Sequence, residues 1–221
     1  MKPIQLISPV DGSVYAERVP LTPDAAKAAV ARARAAQKGW AARPLEERIA
    51  LVKAGVAKLN EMAPVIVEEL AWQMGRPTRF GGEFGGVNAR TEYMSQIAAE
   101  TLAPKVVEDS DKFRRYLARE ALGVVFIVAP WNYPYLTTIN TLVPALIAGN
   151  TVVLKHASQT LLVGGLFYGL NFGLGGVAGA ILGVLADRYG IEMVYQICAF
   201  LPLAGLMAWF LPRIDDGTGP R

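Results

Sequence analysis

Hydrophobic and polar positions follow three regimes along the 221 residues. Up to about residue 121 the apolar residues stand singly or at helical spacing. Between 123 and 154 they form short unbroken runs, and beyond 160 they form long stretches almost without charge. Residues 6–9 and 13–20 read as short strands around the turn Asp11-Gly12. Thr22, Pro23 and Asp24 predict a helix start, with a capping hydroxyl followed by proline at the first helical position. That Ala- and Arg-rich helix runs to Trp40 and is broken by Pro44. The next places Ile49, Val52, Val56 and Leu59 on one face. Pro64 opens a third, with Ile66, Leu70 and Met74 four apart, and Gly75 and Pro77 end it. Residues 81–101 predict a helix weakened at its start by glycine. Residues 112–121 alternate enough for an exposed strand or ribbon.

The run 123–128 is a glycine followed by five apolar residues, the pattern of a parallel strand buried on both faces. Leu136, Ile139, Val143 and Leu146 follow at helical spacing, Gly149 and Asn150 close that helix, and 151–154 form a second buried strand. This is one βαβ unit and makes the fold class α/β. Chemistry in such sheets gathers at the carboxyl ends of the strands. Here those ends carry Ala129, Pro130, Trp131 and Asn132, then Lys155, His156, Ala157 and Ser158. The edge at Val152, Val153 and Leu154 has no charged residue before Lys155, so it is expected to recruit other chains.

In the tail, 161–186 holds no Asp, Glu, Lys or Arg, and 191–212 holds Glu192 alone. A helix needs about 20 apolar residues to cross a bilayer, and both runs meet that length. Only Asp187, Arg188, Tyr189 and Gly190 separate them, which predicts an all-α two-helix transmembrane hairpin. Gly165, Gly169 and Gly173, then Gly175, Gly179 and Gly183, lie four apart and make smooth faces for close helix packing. Gly173, Gly175 and Ala178 also fit a dinucleotide fingerprint, but no strand precedes them, so close packing is the preferred reading. Asn171 is the polar side chain deep in the first span, and Pro202 should kink the second.

Composition narrows the function classes. The net charge of +3 is spread through helices and forms no run, which argues against nucleic acid as a partner. The single cysteine, Cys198, excludes an internal disulfide. One histidine cannot assemble a metal site, and His156 reads as a loop residue rather than a base. The first residues lack the apolar core of a signal peptide, so the N-terminal part is expected in the cytoplasm.

Pro130-Trp131-Asn132-Tyr133-Pro134 and the run 144–155, from Pro144 to Lys155, are motifs of a known family. Residues 8–12 and 69–77 add weaker matches. Through them residues 4–163 resemble the N-terminal third of an NAD(P)-dependent aldehyde dehydrogenase, which implies a truncated Rossmann-like region. The resemblance implies oxidation of a small-molecule aldehyde to a carboxylic acid, with NAD or NADP. It makes Asn132 the amide donor to the oxyanion of a thiohemiacetal, a task that suits an uncharged donor. It places Val128, Ala129, Pro130 and Trp131 along the cofactor cleft, and Lys155 on the adenosine ribose or a phosphate on it. Ser158 stands where many members carry a glutamate that grips the ribose hydroxyls, and a neutral residue leaves room for a 2′-phosphate. Taken singly, Trp131 reads as core, Asn132 as a turn residue and Lys155 as a solvated strand end; the combined spacing carries the resemblance. The family's nucleophilic cysteine and general-base glutamate belong to regions absent from this sequence. Cys198, in an apolar helix, is expected to be inert. Turnover by this chain alone is therefore not expected, and cofactor binding is expected to be weak.

Residues 183–190, with Asp187 and Arg188, look like the loop signature of major facilitator transporters. Residues 165–213 are similar to that family's last two transmembrane helices. The implied organisation is 1–163 for the enzyme-like region, 164–213 for a membrane hairpin and 214–221 for a disordered tail, with the membrane engaged through 161–212. A transporter fragment, and a fused reading frame without selected function, are the alternatives. The aldehyde and the oligomeric state stay open.

Overall fold

The computed structural model describes residues 2–80 and 82–163. All lie in one compact unit, Met1–Leu174; the second unit, Gly175–Arg221, falls wholly outside the described residues. Strand β1 (Ile4–Ile7) pairs antiparallel with β2 (Val14–Arg18). The turn between them follows from Asp11, whose carboxylate accepts the Ser13 N–H at 3.0 Å and its hydroxyl at 2.8 Å. Helix α1 (Pro23–Ala41) begins as the sequence predicts, with Thr22 Oγ1 accepting the Ala25 N–H at 3.1 Å. Helix α2 (Leu45–Glu61) follows Pro44, and α3 (Ala63–Met74) ends at Gly75, whose φ of 74° is the left-handed cap that glycine adopts without a Cβ penalty. Helix α4 (Phe84–Leu102) leads into an antiparallel ribbon of β3 (Lys105–Asp109) and β4 (Arg114–Leu117). Strand β5 (Val124–Val128), helix α5 (Pro134–Ile147) and strand β6 (Thr151–Lys155) form the expected parallel βαβ unit.

The core is made by one stripe from each of four helices. Val52, Val56 and Leu59 of α2, Ile66 and Leu70 of α3, Val87 and Ala98 of α4, and Tyr135, Ile139, Val143 and Ile147 of α5 pack together with Val163. Helix α1 buries no residue fully; it joins by the half-buried Trp40 packed against the core and by hydrogen bonds, Thr151 Oγ1 donating to the Ala33 carbonyl at 2.9 Å and Trp40 Nε1 to the Leu146 carbonyl at 2.8 Å. Helices α4 and α5 approach closely at Gly86, where a Cβ would meet Leu136 Cδ1 at 2.8 Å.

Three expectations change. The ribbon includes β3, which the sequence pattern did not signal, because both its faces are solvated and no alternation toward a core exists. Strand β5 is not buried on both faces: Phe126 and Val128, which share a face, are each 62% exposed, because among the described residues little covers that face. The two-helix transmembrane hairpin is corrected as well. Among the described residues no helix is long and apolar enough to cross a membrane. At the start of the expected first span, Val163 is 1% exposed within the helical core, Leu161 is buried, and the Leu162 N–H donates to Gln73 Oε1 at 3.0 Å. An uncharged run suits a water-soluble core as well as a bilayer, and here its first residues enter the core. The membrane as a partner through 161–212, and the location of that stretch in a membrane, are corrected on the same ground. The rest of both expected spans, with Asn171, Cys198, Pro202 and the glycine repeats, lies outside the described residues.

Candidate functional site

The carboxyl ends of β5 and β6 are level. Val128 is the register partner of Lys155, and one residue further the Ala129 N–H donates to the Lys155 carbonyl at 2.8 Å. The structure therefore brings Val128, Ala129 and Lys155 together. Ala129 is buried; Val128 is open, and Trp131 is 49% exposed in the loop that follows. Pro130 and Asn132 are exposed in the same loop, which leads into α5 at Pro134. The side-chain amide of Asn132 makes no hydrogen bond among the described residues. The Lys155 ammonium is exposed and donates weakly, at 3.4 Å, to the His156 carbonyl. Ser158 begins a short 3-10 turn, Ser158–Thr160, with its hydroxyl donating to Gln159 Oε1 at 3.3 Å. His156 Nε2 pairs with the Leu161 carbonyl at 3.1 Å, fastening that turn. Burial lowers the His156 pKa below its ordinary value; Lys155 lowers it further, while the Leu161 carbonyl opposes this.

What holds the Asn132 loop comes from far away in the chain. Glu83, the residue before α4, is buried and turns its carboxylate toward the start of α5. Its Oε2 accepts the N–H groups of Tyr135 and Leu136 at 2.9 and 2.8 Å. Those are first-turn donors, which a helix cannot satisfy internally. Its Oε1 accepts from Arg76 Nη1 at 2.6 Å, with side-chain exposures of 9% for Arg76 and 1% for Glu83. The other arm of the guanidinium, Nη2, donates to the Asn132 carbonyl, and the guanidinium carbon lies 4.6 Å from the centre of the Tyr133 ring. Sequence reasoning missed both residues. The available signal was negative: Tyr133 is no helix cap, and the first turn of α5 has no acidic residue, so a cap had to come from elsewhere. At its far end, α5 receives Arg48 Nε on the Ile147 carbonyl at 2.9 Å. Tyr135, in this first turn, has its phenol pKa pushed well above the ordinary range by burial and by the Glu69 and Glu83 carboxylates, so it stays protonated. Among the described residues no cluster of His, Cys, Asp and Glu could hold a metal ion. Among the described residues the strand ends offer an uncharged amide, an open apolar surface and an exposed cation, which suits a flat anionic ligand.

A model of the aldehyde dehydrogenase family matches residues 1–184. A putative NADP(+) succinate-semialdehyde dehydrogenase of Mycolicibacterium smegmatis is 34% identical over 136 residues, 60% of this chain and 26% of that protein. A fosmidomycin resistance protein of Escherichia coli (strain K12) is 34% identical over 129 residues, 54% of this chain and 32% of that protein. Among solved structures, succinic semialdehyde dehydrogenase from Streptococcus pyogenes in complex with NADP+ superposes with a TM-score of 0.70 at 27% identity, covering 84% of this chain and 43% of that one. This chain thus spans about a quarter to a third of the curated relatives it matches. Solved relatives are described as NAD-dependent or as complexes with NAD or NADP+, which supports the cofactor class read from the sequence. The family match runs past the join expected at 163 and 164, so the reading of residues 165–213 as a fused major facilitator segment is corrected.

Proposed function

Because the chain belongs to the aldehyde dehydrogenase family, we propose that its described residues supply the oxyanion donor and one wall of the cofactor site for NAD(P)-dependent oxidation of an aldehyde. Asn132 gives its side-chain amide to the developing oxyanion. Val128, Ala129, Pro130 and Trp131 line the cofactor, Lys155 meets the adenosine ribose or its 2′-phosphate, and Ser158 leaves room for that phosphate. The bound nicotinamide supplies the hydride acceptor. The observation that carries this reading is the unbonded Asn132 amide beside an open apolar wall and an exposed Lys155, all at the carboxyl ends of β5 and β6. That pairing of apolar surface and cation fits a nucleotide, whose rings are flat and whose phosphates are anionic. Two of the relatives act on a semialdehyde by name, so a short aldehyde carrying a carboxylate is the first substrate to test.

The single cysteine of the chain, Cys198, lies in an apolar stretch of the sequence, where a thiol is expected to be inert. Positioning groups without a thiolate cannot form the covalent intermediate of the family's chemistry. The 221-residue chain should therefore show no aldehyde-dependent reduction of NAD or NADP, and calorimetry should give a dissociation constant weaker than about 1 mM, or about −4 kcal/mol. Lys155→Ala should weaken NADP binding more than NAD binding. Turnover that disappears in Cys198→Ser would overturn the expected inactivity, and micromolar cofactor affinity that survives Lys155→Ala would overturn the placing of Lys155 on the cofactor.

A further inference from the structure

The Asn132 loop is bracketed from both sides of Pro134. On one side Arg76 Nη2 holds the Asn132 carbonyl, which fixes the peptide plane between Asn132 and Tyr133. On the other, Glu83 Oε2 holds the Tyr135 and Leu136 N–H groups at 2.9 and 2.8 Å. The two brackets are joined by the ion pair at 2.6 Å and covered by the Tyr133 ring. The side chain of Asn132 thus leaves a backbone whose course is set by two residues from another part of the chain. The Tyr135 and Leu136 N–H groups in the first turn of α5 are taken by Glu83, so these two donors are not open to a phosphate.

We propose that Arg76 and Glu83 are positioning residues that act as a unit to aim the Asn132 amide. This rests on the reading of Asn132 as the oxyanion donor. Neither residue touches the reacting atoms. Arg76 reaches the loop with one arm and Glu83 with the other, and a planar guanidinium suits two fixed partners where a lysine ammonium would not. Misplacement of a donor by about 1 Å is enough to cost a large part of its effect on rate.

The test uses the full 221-residue chain labelled with fluorotryptophan and read by fluorine NMR, with the Trp131 signal assigned by Trp131→Phe. Arg76→Lys keeps a cation beside Glu83 but gives up the second arm. It should shift or broaden the Trp131 signal while leaving Trp40 unchanged, because Trp40 reports the far end of α5 through the Leu146 carbonyl. Glu83→Ala should speed hydrogen exchange at the Tyr135 and Leu136 amides at least about tenfold, since both lose a charged acceptor. If Glu83→Ala does not fold, Arg76→Lys decides. An unchanged Trp131 signal in Arg76→Lys overturns the inference. So does a change in Trp131 and Trp40 together, which would make the pair a general brace of the fold. Excess NAD added to the unsubstituted chain tests the functional reading separately. A Trp131 response to NAD with none to Arg76→Lys sinks the inference and keeps that reading; the reverse pattern keeps the inference about the loop and sinks Trp131 as a cofactor wall.

Discussion

Glu83 and Arg76 are buried together, and a buried ion pair is more costly to halve than to lack. Glu83→Ala leaves a nearly buried guanidinium uncompensated and two helix N–H groups without an acceptor. It should lower the unfolding free energy by about 3–5 kcal/mol, read from the urea midpoint, and a loss under about 1 kcal/mol would show the pair to be solvated. His156, the sole histidine, gives a prediction of pH dependence. Its folded pKa lies below the unfolded value because burial disfavours the imidazolium, so the unfolded chain binds the proton more readily. The stability from neutral His156 is fully present above the ordinary value of 6.5 and is lost as pH falls through the folded value. Between about pH 7 and 5, His156→Gln should therefore lose less stability on acidification than the parent chain, by paired urea titrations. Residues of the candidate site that follow one another in sequence, from Val128 to Asn132, could be proposed from it because the motif is continuous. Arg76 and Glu83 were not, because they sit in a glycine-rich connection and their partners lie more than fifty residues on.

At the scale of elements, helix starts and stops carried the reading. Thr22, Pro44, Pro64 and Gly75 each act on the adjacent backbone, so local sequence is enough to place them. Gly75 has a φ of 74°, and a Cβ there would meet Pro9 Cγ at 3.2 Å. Gly75→Ala should then cost about 1–2 kcal/mol from left-handed strain, with further loss where Pro9 must yield, measured by thermal unfolding. An unchanged melting temperature would mean that α3 ends differently from the way described. Strand β3 escaped the sequence reading because a ribbon solvated on both faces has no apolar side to mark it. The tail was misread for the opposite reason: lack of charge marks both a bilayer span and a buried segment, and spacing alone does not separate Leu161 and Val163 from lipid-facing residues.

Across the whole described part, the strands form three separate two-stranded sheets rather than one. The α/β order was legible, since β5, α5 and β6 differ so clearly in pattern. The exposure of the sheet was not, since it depends on what lies beside it. Phe126 and Val128 stand open on β5, whose outer edge is unpaired among the described residues, an arrangement that favours association between copies. Phe126→Lys should reduce concentration-dependent light scattering while shifting the urea midpoint by no more than about 0.5 kcal/mol, as expected for an exposed position. Equal scattering by both proteins would place the sticky surface elsewhere.

Helix α5 meets a carboxylate at its start and a guanidinium at its end, each opposite in sign to the partial charge there. Both come from residues made earlier: Arg48, Arg76 and Glu83 have all left the ribosome before Pro134 does. The segment that carries Asn132 is thus made after the side chains that cap α5 at both ends. Each cap therefore closes backward along the chain, from α5 to a side chain that was synthesised before it.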